Sequence, residues 1–179
     1  MKYFWPIVGV LCIAAAVSGY RIGLYRIPYA AMNRAEASIV DSAGGYNRMV
    51  HPPRPTSQSR RVVRPSPDQL YSGCVYDLSD GPVVISGMAP TDSYWSLSFF
   101  AHNTDNYFVV NDRELEAPDF RYVLLSRGAP VPAGVSDAQV VRSPSQTGIV
   151  LQRLFIDRDD RAGELDARRK TARCEAYGE

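Results

Sequence analysis

Residues 94–100, YWSLSFF, decide the fold, because large apolar residues alternate there with small polar ones. Successive side chains of a β-strand point to opposite faces of the sheet. In a strand, Trp95, Leu97 and Phe99 therefore share one face, and Ser96 and Ser98 share the other. The alternation predicts a strand whose apolar face lies against a core.

Further short β-type runs lie on both sides of this strand and are separated by turn residues. With residues 94–100 they make about seven predicted strands, the others being residues 70–78, 82–86, 107–110, 121–125, 139–141 and 149–156. Asp80-Gly81, between the first two runs, is typical of a two-residue hairpin loop and predicts that those strands pair. Several short strands at near-regular spacing predict a mainly β domain, either a sandwich or a jelly roll.

The amino-terminal run of residues 3–20 contains no charged residue. A hydrocarbon core about 30 Å thick needs about 17–25 apolar residues in a helix, so this run is just long enough to cross it. Trp5 and Tyr20 at its ends favour an uncleaved anchor, whereas the small residues around Ser18 leave a cleaved signal peptide, and with it a secreted protein, as the alternative. Lys2 and the arginines that follow the run nearly balance, so charge alone does not decide the orientation. We expect a single membrane span.

The remaining segments differ in composition. We expect an anchor in residues 1–27, a helical segment and a Pro/Arg-rich linker in residues 28–67, the β domain in residues 68–157, and a helix with a tail in residues 158–179. Gly44-Gly45 ends the helical segment. Residues 51–67 contain five prolines, four arginines and no acid, which is typical of an extended arm that serves as a spacer or meets anionic headgroups.

The carboxy-terminal segment is rich in charges of both signs. Glu164 with Arg168 and Asp166 with Lys170 are acid-before-base pairs four residues apart, which support a surface helix. The formal net charge of the chain is +1, and the acids here balance the bases, so nucleic-acid binding is not expected.

The three cysteines divide between the two parts of the chain. Cys12 lies inside the apolar run, while Cys74 and Cys174 lie in the soluble part. In an oxidising compartment the latter two are candidates for one disulfide, but spacing alone does not distinguish a bridge from two unrelated thiols.

Motifs for metal, phosphate or dinucleotide binding are absent from the sequence, so no metal or cofactor is predicted. Polar residues do cluster at predicted strand ends. They are candidates for one pocket in which His102 is a general base; equally, the residues of the turn can bond their own backbone and Arg64 can pair with Asp68 at the start of the first strand. The candidates are Arg64, Asp68, Tyr71, Tyr94, His102, Asn103, Asp105 and Asn106.

Four blocks of sequence resemble the family known as domain of unknown function 1254: residues 64–72 (RPSPDQLYS), 75–84 (VYDLSDGPVV), 93–97 (SYWSL) and 103–106 (NTDN). Asn47 and His51 resemble its small, membrane-anchored bacterial branch. The resemblance implies a β-rich domain in the bacterial envelope and no assigned activity. Together with the apolar run, it implies a span in the inner membrane and a soluble domain in the periplasm. In longer relatives a second β domain, of family 1214, follows in the same chain, and it is not expected within these residues.

Two functions from different classes follow as hypotheses. The first is a membrane-anchored periplasmic module for binding or assembly, whose partner is a separate envelope protein carrying the sister domain of family 1214. Such a module is expected to expose an apolar patch or a free strand edge. The alternative is an enzyme acting on a lipid or a cell-wall component at a pocket centred on His102.

Overall fold

The computed structural model describes residues 3–59, 65–136 and 139–178. A long helix, α1, is followed by seven strands, a 3-10 turn, a short helix α2 and a last strand. The helices are α1 (Phe4–Ala43) and α2 (Ala162–Arg169), and the turn is Asp159–Arg161. The strands are β1 (Gln69–Asp77), β2 (Val83–Met88), β3 (Trp95–Ala101), β4 (Asn106–Asn111), β5 (Asp119–Ser126), β6 (Val140–Ser143), β7 (Thr147–Phe155) and β8 (Arg173–Ala176).

The eight strands form two sheets of four. Sheet A has the order β1-β7-β3-β4, and sheet B has the order β6-β5-β2-β8. Only β5 and β6 run parallel among these pairs. The two sheets pack into a sandwich with a long apolar helix at one end of the chain and a short helix near the other. This confirms the predicted mainly β, sandwich-like fold class.

The core lies between the sheets. Trp95, Leu97 and Phe99 of β3 are fully buried there, as the alternation predicts. Ser96 and Ser98 on the opposite face are also buried. A disulfide joins Cys74 of β1 to Cys174 of β8, with the two Cα atoms 6.4 Å apart. The bridge therefore ties sheet A to sheet B.

The hairpin predicted at Asp80-Gly81 is wrong. β1 pairs along its whole length with β7, and β2 pairs with β5 and β8. The Asp80-Gly81 segment therefore carries the chain from sheet A to sheet B. The dipeptide marks a sharp turn of the chain, where Gly81 has a φ of 138°. It does not determine which strands pair.

α1 is continuous over 40 residues and contains Pro28 in its interior. Gly44 ends it in the left-handed conformation, and the N–H of Gly45 donates to the carbonyl of Val40. Its carboxy-terminal half packs on the outer face of sheet A, where Met32 contacts the cluster of Val75 and Ile149.

The amino-terminal half of α1 has no such partner. It contains a stretch that is long and apolar enough to cross a membrane, and no part of that stretch is buried against the described residues. Membrane anchors and signal sequences share these properties. The helix is therefore a candidate anchor by length and composition.

The described part of the Pro/Arg-rich segment contacts the domain at several points. Val50 exchanges two backbone hydrogen bonds with Gly73 of β1 (2.8 and 3.0 Å). The guanidinium of Arg54 donates to the carbonyl of Pro67 and pairs with Asp159 at 2.8 Å. The described part of the segment is thus held against the sandwich.

Candidate functional site

The sequence-predicted site residues do not converge on one pocket. His102, Asn103, Asp105 and Asn106 lie beyond the end of β3, near Thr147 at the start of β7, whereas Asp68, Tyr71 and Tyr94 lie near Phe155 at its other end. β7 has nine residues, so its first and last residues are about 27 Å apart at about 3.4 Å per step between neighbouring residues. The two groups therefore lie at opposite ends of sheet A, and the structure does not bring them together. Arg64 lies outside the described residues.

His102 is placed by the turn after β3 and points towards α1. Its Nδ1 lies 3.0 Å from Oε1 of Glu36, a carboxylate that is 7% exposed. Thr147 Oγ1 lies 3.3 Å from the same nitrogen, and the ring of Tyr29 lies 5.8 Å from the imidazole between centroids. The backbone N–H of His102 donates to Ser145 Oγ. His102 therefore joins α1 to the end of sheet A, and the constellation expected for catalysis does not form around it.

The other residues of this turn bond mainly to one another. The Asn103 amide donates to Asp105 Oδ2 at 2.6 Å, and the Asp105 N–H donates back to Asn103 Oδ1 at 3.2 Å. Thr104 between them has a φ of 73°, a conformation that costs a non-glycine residue about 1–2 kcal/mol. These bonds stabilise a tight loop, which is the structural alternative that the sequence left open.

At the opposite end of sheet A, Tyr71 and Asp68 fix the start of β1. The Tyr71 hydroxyl donates to Gln69 Oε1 at 2.9 Å and accepts from the backbone N–H of Ser66 at 3.1 Å. The carbonyl of Asp68 accepts from the N–H of Ile156 at 2.8 Å. Tyr94 is 46% exposed and uses its carbonyl to accept from Phe155. These contacts hold the strand ends in place.

A cluster that the sequence did not predict lies between the arm and α2. His51 Nδ1 is 2.9 Å from the Oγ of Ser72, which is fully buried in β1. Arg169 of α2, 1% exposed, donates from Nη1 to the carbonyls of Pro52 (2.9 Å) and Tyr71, and its Nη2 pairs with Asp166. The cluster therefore ties together the arm, β1 and α2.

The pKa of His51 is lowered from its ordinary value of 6.5. Burial contributes most, and the positive charges of Arg169 and Arg173 add to it, against the opposing effect of a bond to the backbone of Ala172. The neutral imidazole is thus favoured. The contact of His51 with Ser72 fastens the arm to sheet A.

A groove of about 730 Å³ opens beside this cluster. It runs between the segment that leads from α1 into the arm and the residues from the end of α2 through β8. Its lining residues are Tyr46, Asn47, Arg48, Met49, His51, Lys170, Ala172, Arg173, Cys174, Glu175 and Ala176. The volume is in the range of ordinary ligand sites. This groove is the candidate binding site of the domain.

Metal chemistry has no support in the described part of the chain. Within residues 3–59, 65–136 and 139–178, no group of three or more His, Cys, Asp or Glu side chains is placed to hold an ion.

Neither Glu36 nor Arg169 was predicted from the sequence as a functional or structural contact. Glu36 is one of only two acids in residues 1–43. An acid that is rare in its segment could have been singled out as a residue with a specific partner. Arg169 comes four residues after Leu165, so a helix places the two on one face; Leu165 is fully buried. The sequence predicted a solvated charged face, and the structure instead buries one of its arginines.

The protein is a two-sheet β-sandwich that follows a long helix in the chain and has a groove beside the edge of sheet B. The chain belongs to the family described as "Protein of unknown function (DUF1254)", which matches residues 46–176. This confirms the resemblance of the four sequence blocks to that family.

Solved structures resemble the fold. The VPA0106 protein from Vibrio parahaemolyticus matches with a TM-score of 0.61 and 17% identity, over 86% of this chain and 36% of that one. An uncharacterised protein from Burkholderia cenocepacia matches with a TM-score of 0.48 and 21% identity, over 78% of this chain and 39% of that one. The chain thus spans little more than a third of the length of either. A comparison with curated proteins finds no match.

Proposed function

We propose that the chain is a binding or assembly module of the bacterial cell envelope, held in the inner membrane by α1 with its sandwich in the periplasm. The observation that carries the proposal is the division of α1 into two halves. The first half is apolar and unburied, and the second is packed on Val75 and Ile149 of sheet A. One helix thus supplies both a membrane segment and a docking segment for the domain.

The Glu36–His102 contact supports this reading. A carboxylate that is largely removed from water needs a partner, and His102 supplies it across the junction between helix and sheet. The helix is therefore held to the sandwich by a polar contact as well as by apolar packing. Such a junction suits a domain that works at a set position relative to its anchor.

The location in the periplasm is supported by the cysteines. Disulfides persist in oxidising compartments and are rare in the bacterial cytosol, and Cys74 and Cys174 are joined across the sandwich. Both are almost fully buried, so the bridge serves the fold and is not placed for redox chemistry.

The partner that we propose is a separate envelope protein carrying the sister domain of family 1214. The sandwich of the Vibrio protein is part of a chain that this one covers only to 36%, so the fold occurs together with further chain. A free strand edge is the kind of surface through which separate chains join.

The location is tested with the full chain carrying alkaline phosphatase, which is active only in an oxidising compartment, at its carboxy terminus. We expect active enzyme in membranes that resist carbonate extraction, and an intact amino terminus by mass spectrometry. The matched control replaces Val10 and Val17 with arginine, because charges within the span disfavour insertion. Inactive reporter, or release of a shortened chain into the soluble fraction, would contradict the anchored periplasmic location.

The binding role is tested by mild cross-linking in native membranes, purification of the tagged chain and mass spectrometry. We expect a protein present in stoichiometric amount that carries the sister domain. A chain recovered with a lipid or a small molecule alone would contradict the assembly role.

A further inference from the structure

The outer edge of β8 indicates how the proposed partner could bind. Tyr177 donates its N–H to the carbonyl of Pro82 at 2.9 Å, just beyond the β2–β8 pair. Bonded residues alternate along an antiparallel strand, so Arg173 and Glu175 use their backbone towards β2. The backbone N–H and C=O groups of Cys174 and Ala176 therefore face away from sheet B.

β8 is the last strand of sheet B, and among the described residues no strand pairs with its outer edge. The groove of about 730 Å³ runs along that edge, since Cys174 and Ala176 line it. Exposed N–H and C=O groups of an edge strand are a template for another strand, and Ala176 is the outward-facing residue of β8 that is not buried. The groove thus offers both the bonds and the room for an extended segment.

The opposite wall comes from the segment that lies beside sheet A. Asn47 donates its N–H to the carbonyl of Val75 at 2.9 Å, and Val50 pairs with Gly73. This segment therefore covers part of the edge of β1. On β8, Cys174 is buried at 2% exposure, whereas Ala176 is partly exposed, so the accessible part of that edge lies at Ala176. The Cys74–Cys174 disulfide crosses the sandwich between these two edges and holds their spacing.

The charge of the groove indicates what kind of segment fits. Arg48, Lys170 and Arg173 line it, against Glu175. Lys170 is already paired with Asp166 at 2.6 Å, yet its side chain remains 54% exposed. The net positive lining favours a partner with carboxylates and disfavours a basic one.

We propose that the outer edge of β8 receives an extended, acidic peptide segment of a partner protein as an additional strand of sheet B. The inference rests on the proposed binding role and gives the partner its chemistry. Main-chain bonds to Ala176 supply affinity, and carboxylates that meet Arg48 and Arg173 select the sequence. This is the usual division between backbone and side-chain contacts in strand addition.

The test uses the purified full chain in detergent and a fluorescein-labelled peptide of alternating valine and glutamate. Anisotropy is expected to show saturable binding. The same peptide with lysine in place of glutamate is expected to bind at least about tenfold more weakly. Hydrogen exchange at the Ala176 amide is expected to slow when the acidic peptide is present.

Two variants make the result specific to this edge. Ala176→Pro removes an outward N–H, a change that edge strands tolerate, and is expected to lower the affinity at least about tenfold. Val109→Pro is the matched control on the edge of sheet A. Asp112 donates to the carbonyl of Trp95, so the same alternation turns the Val109 N–H outwards and away from β3. This variant is expected to bind as the unmodified chain does.

Arg48→Glu provides a second test that leaves the strand unchanged. It is expected to lower the affinity for the acidic peptide and to raise the affinity for the lysine peptide. Absence of binding at millimolar peptide would overturn the proposal, as would equal binding of both peptides or an affinity that Ala176→Pro leaves unchanged. Purified protein in detergent does not depend on the cellular location, so failure here is distinguishable from failure of the membrane and cross-linking experiments.

Discussion

Nδ1 of His102 lies 3.0 Å from Oε1 of Glu36, a residue 66 positions earlier in the chain. The contact joins a helix to the turn between two strands, across the boundary between the candidate anchor and the sandwich. Thr147 approaches the same nitrogen, and Tyr29 lies beside the ring. The first prediction concerns how much this junction contributes to stability.

Glu36→Ala and His102→Ala are expected to be non-additive. Each change removes the same contact. The double variant should therefore lose less free energy of unfolding than the sum of the two single losses, with a coupling energy of about 0.5–3 kcal/mol. Denaturant unfolding of the full chain in detergent measures all four proteins. Asp41→Ala, at an exposed position of the same helix, is the control and should not couple to His102. Additive losses would show that the contact does not stabilise the junction.

The disulfide is expected to contribute much of the stability of the sandwich. It connects residues 100 positions apart, for which the loss of chain entropy corresponds to about 4–5 kcal/mol. The Cys74→Ala/Cys174→Ala variant should lower the free energy of unfolding by about that amount. Cys12→Ser, which changes the exposed cysteine of α1, should leave it unchanged.

Thiol labelling checks the bridge itself. Protein unfolded without reductant should take up maleimide at Cys12 alone, and reduction should expose two further thiols. Labelling of Cys74 and Cys174 before reduction would contradict the bridge.

Stability is expected to fall in mildly acidic solution because of His51. Burial, with the charges of Arg169 and Arg173, lowers the pKa of the folded state below 6.5, so the unfolded chain binds more protons at about pH 6. The contribution of His51 is therefore fully present above its unfolded pKa and is lost as the pH falls towards the folded pKa.

Urea unfolding at about pH 7.5 and about pH 5 measures this loss. Histidine is the side chain whose unperturbed pKa lies between these two pH values. His51→Gln retains a hydrogen-bonding side chain but cannot be protonated, and it should reduce the difference between the two conditions. An unchanged difference would assign the acid sensitivity to other groups.

Gly148 is expected to tolerate no side chain. A Cβ there would overlap the Tyr76 hydroxyl and the carbonyl of Phe100. That hydroxyl is itself fixed by bonds to Phe100 and to Ser143 of the other sheet. Gly148→Ala should therefore cost about 3 kcal/mol, at the upper end of the usual range for overpacking, because a backbone oxygen cannot move aside.

The matched control is Gly163→Ala. Its Cβ would meet nothing within 4 Å, and it lies inside α2, so alanine should raise the stability by up to about 1 kcal/mol. Equal effects of the two substitutions on thermal unfolding would contradict the packing around Tyr76.

The sequence predicted the architecture through local patterns and failed where long-range pairing decides. The alternation in residues 94–100 identified β3 because burial on one face follows a period of two. Asp80-Gly81 misled because the partner of β1 is β7, and a turn dipeptide says nothing about strands so far apart in sequence. β8 was missed, since the short segment Arg173–Ala176 follows a helix and carries little β pattern.

The candidate site was less predictable than the fold. His102 was selected for its chemistry, but its partner Glu36 comes from a helix that the sequence assigned to the region before the domain. The groove depends on Arg48 and Arg173, which the fold brings together from opposite ends of the soluble part. Neither pairing leaves a local signal in the sequence, because each arises only when α1 and β8 take their places.

The continuous helix has a consequence for how a partner is met. At about 1.5 Å per residue, the 40 residues of α1 form a rod about 60 Å long, of which the apolar half would lie in the bilayer. In the proposed arrangement the sandwich turns and drifts with its helix but keeps a nearly constant height above the lipid. A partner that is itself held in the same membrane would then be found by a search in two dimensions, at a local concentration far above that of a freely diffusing protein.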